Sequence, residues 1–179
     1  MPLVWLVMSQ LAQSSNDTNV LVQFYGMGVG CGSIPDHSFT GGEVLIDDST
    51  GPRTPDLAAY IVDYAMGGDD DDNNPSLHGF QTGSNFVAVL SGTVPISVAG
   101  SYTFTLTLGN ADTATVLIDG TTALTTGCSW GSAYSTAETL TADDHLVHVI
   151  FADDGWSDTV RLEYSGPDTA GVTMLVPTV

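Results

Sequence analysis

The sequence predicts an all-β fold, an antiparallel β-sandwich of jelly-roll-like form with long loops and one short helix. In the second half of the 179-residue chain, apolar and polar residues alternate along several short stretches, as they do in half-buried strands. Turn-forming residues separate these stretches at a spacing of roughly 8–12 residues, which is typical of sandwiches and barrels. Disorder is excluded because 42% of the residues are hydrophobic, despite a formal net charge of −19.

The clearest strand is SYTFTLTL, in which Tyr102, Phe104 and Leu106 alternate with serine and threonine. The same pattern predicts strands over residues 86–90, 94–98, 101–108, 114–119, 145–151, 159–164 and 171–176. Pro95 has no amide hydrogen to donate, so the strand that contains it is expected at a sheet edge or at a bulge. Asp119 and the glycine that follows it predict a tight turn.

The first half of the chain is less regular. The stretch NVLVQFY predicts a strand over residues 19–25, and a glycine-rich loop follows it. Leu57, Ile61 and Tyr64 recur at helical spacing behind a Thr-Pro pair, which predicts the one short helix over residues 56–66. The acidic stretch GGDDDDNNP is expected to be an exposed loop.

Residues 1–15 are predicted to be an apolar extension that packs on this subunit or on a neighbouring one, ahead of one domain over residues 16–179. The first residues, MPLVWLVM, lack the basic residues of an export signal. An apolar first segment without the basic residues of an export signal is expected of a virion protein more than of an ordinary exported protein. We therefore expect a homo-oligomer or a subunit of a larger assembly, located outside the cell on a virion or cell surface. No run reaches the ~18 apolar residues that a membrane-spanning helix needs.

The charge balance excludes several classes of partner. The chain has 21 acidic residues against two basic ones, Arg53 and Arg161. Nucleic acids and anionic membranes need a basic footprint, and enzymes that clamp phosphates need lysine or arginine. Self-repulsion at such a charge is relieved by screening, so an acidic surface without lysine fits a hypersaline or divalent-rich medium. A merely acidic secreted or virion surface is the equal alternative.

The two cysteines, Cys31 and Cys128, both lie in glycine-rich loops. A disulfide between them is expected if the protein is extracellular, and two buried free thiols are the alternative.

Two acidic loops are candidate sites. Asp69, Asp70, Asp71 and Asp72 form a cluster of the hard oxygen ligands that Ca²⁺ prefers, although the spacing is not that of an EF-hand. A solvated acidic loop is the alternative. Asp153, Asp154, Trp156 and Asp158 combine carboxylates that accept hydrogen bonds from hydroxyls with an aromatic face that stacks on a sugar ring. A plain hairpin loop is the alternative there.

Two motifs suggest enzymes but lack the required context. The GMGVGC stretch is not followed by the helix and third glycine of a dinucleotide site. The GCSWG stretch matches a serine-hydrolase elbow at Ser129, with His145 and His148 downstream. That chemistry needs alternating strands and helices, which this sequence does not predict. We therefore predict no enzyme, keep the hydrolase as a remote alternative, and interpret Trp130 in this loop as an exposed aromatic.

A further set of motifs runs in order from about residue 86 to residue 167: SGTVP, GSYTF, an acidic turn, a strand ending in IDG, a strand with a histidine, and LEYSGP. This order resembles the β-sandwich domain first named from anthrax protective antigen and shared with yeast flocculins and many glycosidases. The resemblance implies a carbohydrate-recognition or spacer module without chemistry of its own. Its adhesin branch holds sugar through Ca²⁺ and two adjacent aspartates, of which the acidic turn here keeps only Asp112.

These observations predict a non-catalytic attachment or structural module of a virion or cell envelope, acting as a capsid decoration, turret, fibre or adhesin. The candidate glycan ligands are Asn110, Asp112, Trp130, Asp153, Asp154, Trp156 and Asp158, and the candidate Ca²⁺ ligands are Asp69, Asp70, Asp71, Asp72 and Asp112. If the role is structural, we expect residues 1–11 and an edge strand such as 94–98 to pair with strands of neighbouring subunits. A Ca²⁺-dependent carbohydrate-binding module of a secreted protein is the alternative.

Overall fold

A computed structural model describes residues 20–48, 50–67, 85–109, 112–128, 130–154 and 159–177. The predicted extension at residues 1–15, its boundary with the domain, and the loop with Asp69, Asp70, Asp71 and Asp72 lie outside the described residues. Within these residues the strands are β1 (Val20–Tyr25), β2 (His37–Thr40), β3 (Glu43–Asp48), β4 (Gly51–Pro52), β5 (Leu57–Ile61), β6 (Ala65–Gly67), β7 (Val87–Pro95), β8 (Gly100–Leu108), β9 (Thr113–Ile118), β10 (Thr121–Thr125), β11 (Ala133–Leu140), β12 (Asp144–Ala152), β13 (Thr159–Ser165) and β14 (Met174–Leu175).

Two antiparallel sheets pack face to face and confirm the predicted β-sandwich. One sheet has the strand order β10-β9-β12-β7-β1-β5, and the other has the order β11-β8-β13-β14 with β6 also on β13. Their facing side chains form one apolar core, to which Phe24, Phe86 and Phe151 contribute adjacent rings. The alternation along β8 is as predicted, because Tyr102 and Phe104 are buried while Thr103 between them faces outward.

A third layer covers part of the six-stranded sheet on its outer side. Strands β2, β3 and β4 form a small sheet of their own, and its apolar face lies on the outer face of β7, β9 and β12. Val44 and Ile46 pack there with Val89 and Ile150. We call residues 26–52 the cover segment. A Cβ at Gly120 would overlap the ring of Phe39, so the tight turn after β9 needs glycine for this close approach.

The helix predicted over residues 56–66 is wrong, because the chain forms β5 and β6 there. Leu57 and Ile61 are four residues apart, a spacing that suits a helix and also places both side chains on one face of a strand. In the structure they pack on the core from the edge strand β5, which pairs with β1, while Tyr60 between them is half exposed. Asp63 then accepts a hydrogen bond from the amide of Ala65, a local turn that separates β5 from β6.

The two strands predicted over residues 86–90 and 94–98 are one continuous strand, β7. The Ser-Gly pair between them forms no turn, because it stays in register with β12. Pro95 is the last residue of β7, which lies inside its sheet and not at the edge as expected. Strand β1 pairs with β7 over Val87–Ser91, so the proline lies beyond that partner.

Several strands were not predicted, namely β2, β3, β4, β10 and β11. The eight residues of β11 are mostly threonine, serine and alanine, so their alternation carries little apolar contrast. The strand predicted over residues 171–176 shortens to the two residues of β14, behind a 3₁₀ turn at Pro167–Thr169. No described helix is long and apolar enough to span a membrane.

Candidate functional site

The connections that carry the predicted ligands meet at one end of the sandwich, which we call the loop end. In the six-stranded sheet, Val87 at the start of β7 pairs with Tyr25 at the end of β1 and with Ala152 at the end of β12. Ala152 in turn pairs with Thr113 at the start of β9. In the other sheet, Leu108 at the end of β8 pairs with the start of β13. The antiparallel register therefore directs these loops to the same side of the molecule.

Asp153 and Asp154 follow β12 directly at the loop end. Asp153 is fully buried: its amide donates to the carbonyl of Phe86 at 2.9 Å, and its Oδ2 accepts from the amide of Asn85 at 2.8 Å. Asp154 is partly exposed, and its Oδ2 accepts from the amide of Cys31 at 2.9 Å. Backbone donors of this kind hold both carboxylates in place.

Asp112 lies next to this pair. It immediately precedes β9, whose first residue Thr113 pairs with Ala152, so Asp112 and Asp153 flank one cross-strand pair on neighbouring strands. Asp112 is also fully buried. Two fully buried carboxylates therefore lie at adjacent strand ends.

Trp130 reaches the same end from the loop between β10 and β11. Its side chain is 69% exposed. The next residue, Gly131, donates its amide to the carbonyl of Gly109 at 3.1 Å, which places Trp130 beside the turn that leads to Asp112. A disulfide joins Cys128 of this loop to Cys31 of the cover segment, with the two Cα atoms 5.0 Å apart.

The structure thus brings together four predicted ligands: Asp112, Trp130, Asp153 and Asp154. The other predicted ligands, Asn110, Trp156 and Asp158, lie outside the described residues. Among the residues that are described, no group of three or more His, Cys, Asp or Glu side chains is arranged to hold a metal ion. Sequence reasoning missed Thr113, whose hydroxyl accepts from the amide of Gly32 at 2.8 Å. The glycine beside Cys31 was the available signal, since close backbone approaches favour glycine.

The two histidines of the remote hydrolase reading lie away from the loop end. His145 contacts Asp119 at 2.6 Å, at the opposite end of β12 and about 20 Å from the loop end by strand rise. His148 lies on the other face of that strand, where its Nδ1 is 2.9 Å from the hydroxyl of Ser91. Ser129 itself lies outside the described residues.

No protein-family model and no curated protein matches the sequence. Solved structures match the fold. The PA14 domain of the antifreeze protein MpAFP aligns with a TM-score of 0.63 and 17% identity, covering 93% of this chain and 95% of that one. The PA14 sugar-binding domain from an RTX adhesin aligns with a TM-score of 0.58 and 16% identity, covering 89% and 95%.

Two further solved structures with a similar fold come from an adhesin and from a protein with an anti-sigma factor domain. A subtype-switched A domain of epithelial adhesin 9 from Candida glabrata, in complex with β-lactose, aligns with a TM-score of 0.57 and 10% identity, covering 91% of this chain and 88% of that one. An anti-sigma factor domain-containing protein from Clostridium clariflavum aligns with a TM-score of 0.61 and 16% identity over 92% of this chain, which spans only 48% of that protein. At these identities the similarity shows the fold alone, which is a β-sandwich.

Proposed function

We propose that this chain is a non-catalytic, carbohydrate-binding module of the adhesin kind that acts on an extracellular surface. The convergence of Asp112, Trp130, Asp153 and Asp154 at the loop end carries the proposal. Neighbours with the same fold include a sugar-binding domain of an adhesin and an adhesin bound to β-lactose, which supports it. The disulfide between Cys31 and Cys128 supports an extracellular location, because such bonds persist in oxidising compartments.

The chemistry of these side chains suits an uncharged sugar. The exposed indole of Trp130 offers a flat apolar face on which the C–H side of a pyranose stacks. Carboxylates such as that of Asp154 accept hydrogen bonds from sugar hydroxyls. A protein with a net charge of −19 repels anionic glycans, so neutral sugars are the expected ligands.

The candidate ligands at the loop end for a hard divalent cation such as Ca²⁺ are the carboxylates of Asp112 and Asp153. Both side chains are fully buried at adjacent strand ends. Further ligands would have to come from residues such as Asn110 and Asp158. When bound, the ion would supply a positive charge that attracts the hydroxyl oxygens of a sugar.

The proposal is tested by screening the purified chain on a glycan array with Ca²⁺ and again with a chelator. We expect neutral glycans to bind, and we expect Trp130→Ala and Asp154→Asn to reduce binding at least about tenfold, the loss of one good contact. Tyr60→Ala removes another exposed aromatic, which lies on the edge strand β5, and should leave binding unchanged. Absence of any ligand, or an equal loss with Tyr60→Ala, would contradict the proposal.

We also propose that the surface belongs to a virion or cell envelope in a high-salt medium, where the module assembles with further subunits. The support is the excess of 21 acidic over two basic residues, whose repulsion salt screens. Light scattering and urea unfolding at about 0.1 M and about 2 M KCl test this. Assembly size and the free energy of unfolding should both rise with salt, and equal values at the two concentrations would contradict the high-salt setting.

A further inference from the structure

One short turn of the cover segment touches all three loops that carry the candidate ligands. The amide of Cys31 donates to Oδ2 of Asp154 at 2.9 Å, after β12. The amide of Gly32 donates to Oγ1 of Thr113 at 2.8 Å, next to Asp112. The Sγ of Cys31 is bonded to that of Cys128, two residues before Trp130. These three connections meet at two consecutive residues.

The backbone conformation of this turn requires a glycine at position 32. Gly32 has φ = +84°, a conformation that side chains disfavour, and a Cβ there would lie 3.6 Å from the amide nitrogen of Cys128. The turn thus passes close to the loop that carries Trp130. Cys31 is partly exposed and Cys128 is exposed, so a small reductant can reach the bond between them.

The disulfide is the only covalent member of the three connections. It links positions 97 residues apart in sequence, and no neighbouring strand holds the turn in a ladder, since residues 26–36 lie between β1 and β2. Once the bond is reduced, two hydrogen bonds remain at a partly exposed site, where water competes for the same donors and acceptors. The loop with Trp130 then loses its covalent link to the turn that also holds Asp154.

We propose that the Cys31–Cys128 disulfide is a redox-sensitive positioning element, which holds the glycan site in its binding arrangement only while it is oxidised. The proposal rests on the function proposed above and adds its regulation. A dithiol reductant supplies two electrons and two protons: its thiolate attacks one sulfur, its second thiol resolves the mixed disulfide, and Cys31 and Cys128 leave as thiols. The chain has no other cysteine that could exchange with them.

The test compares the parent with and without dithiothreitol, using β-lactose as the glycan probe and hydrogen exchange of residues 26–36 as a second readout. We expect reduction to weaken affinity on the order of tenfold, as loss of preorganisation does. Exchange of residues 26–36 should accelerate, while exchange of the β8–β13 pair should stay unchanged. The double variant Cys31→Ser with Cys128→Ser should have the same affinity and hydrogen exchange as the reduced parent, and dithiothreitol should change neither.

Variants that keep the disulfide separate positioning from overall stability. Gly32→Ala strains the turn and should weaken β-lactose binding, whereas Gly171→Ala, at a similar φ of +77° in an exposed turn elsewhere, should not. Thr113→Val removes the acceptor for the amide of Gly32 and should weaken binding, while Thr113→Ser retains the hydroxyl and should restore it.

The outcomes separate the two proposals. Reduced protein that keeps both its affinity and its exchange pattern overturns the positioning role, as does reduction that speeds exchange in β8 and β13 equally, because the bond would then support the whole fold. If the oxidised parent binds neither β-lactose nor any array glycan, the proposed function fails. In that case the hydrogen exchange of residues 26–36 still decides whether the disulfide organises the loop end.

Discussion

The two main sheets of the sandwich meet solvent in different ways. In the six-stranded sheet, every residue of β9 is buried, and so is β12 from Val147 to its end. In the other sheet, β11 and β13 alternate between buried or half-buried and more exposed positions, and the outward residues are mainly threonine, serine and charged side chains. The central strands of the first sheet therefore have two covered faces, whereas the strands of the second sheet have one.

The difference originates in the cover segment, residues 26–52. Its small sheet places Val44 and Ile46 on the outer face of the six-stranded sheet, where Val89 and Ile150 receive them. Continuous apolar runs such as FVAVL and VIFA accompany this double burial, and clean alternation accompanies single burial. Such runs thus indicate a strand that is covered on both sides.

The largest effect is expected from Ile150→Ala, which opens a cavity beneath the cover segment. Ile150 is fully buried against apolar neighbours, so the substitution should lower the free energy of unfolding by about 2–5 kcal/mol. Urea denaturation measures this. A loss below about 1 kcal/mol would show that the cover segment does not pack as a second core.

The next effect is a dependence of stability on pH through His148, which also lies beneath the cover segment. Its ring is 2% exposed and packs edge-on against Phe39, with ring centroids 5.5 Å apart. Burial lowers the pKa of His148 to about 4, and the nearby Asp119 only partly opposes this. The unfolded chain then binds more protons than the folded one between about pH 6.5 and pH 4.

This contribution of His148 is complete above about pH 6.5 and disappears as the pH falls towards 4, a loss of about 3 kcal/mol. Urea denaturation across this range should show the loss in the parent and not in His148→Leu, which cannot be protonated. An identical slope in the two proteins would mean that other groups, such as the carboxylates, cause the acid sensitivity.

His145, on the other face of the same strand, should respond to pH in the opposite direction. Burial opposes its protonation, but hydrogen bonds to the Asp119 carboxylate and the Thr141 carbonyl outweigh burial and raise its pKa. Its contribution is therefore complete below the unfolded value of about 6.5 and is lost as the pH rises through the folded pKa.

The substitution Asp119→Asn tests the contribution of the Asp119 carboxylate charge to its contact with His145. Asparagine tolerates the positive φ of +50° at this position and can still accept from the amide of Leu146, as Asp119 does at 2.9 Å. The substitution should cost about 0.5–1 kcal/mol at pH 6, because the carboxylate is half exposed, and less at about pH 9. Urea denaturation at both values checks it, and an equal cost at both would exclude a protonated His145.

The smallest effect is expected from Thr103→Ala on the solvent face of the second sheet. Thr103 is exposed on β8, between the buried Tyr102 and Phe104. The substitution should change the free energy of unfolding by no more than about 0.5 kcal/mol. The difference between this change and that caused by Ile150→Ala measures how much more the outer face of the six-stranded sheet contributes to the free energy of unfolding. A cost similar to that of Ile150→Ala would indicate a cover on the second sheet as well.

Part of the fold and of the site was accessible to sequence reasoning. The strands β8, β9, β12 and β13 were predicted because a core face and a turn mark each of them locally. The strands β2 and β3 were not predicted. A helix was predicted in place of β5, because the spacing of Leu57 and Ile61 fits the period of a helix as well as that of a strand. Asp153 and Asp154 stood out by composition, and Asp112 through the resemblance of the motif order. Thr113 did not stand out, because its role as an acceptor depends on a residue 81 positions away.

The sequence by itself determined which strands alternate, which loops carry acid, and that two cysteines were available for one bond. Those properties follow from local periodicity and composition. Only the tertiary structure decided that the cover segment gives one sheet a second buried face, and that the Cys31-Gly32 turn connects three loops at one end. The reason is that pairing across long separations depends on the register and burial of whole strands, which no short stretch of sequence contains.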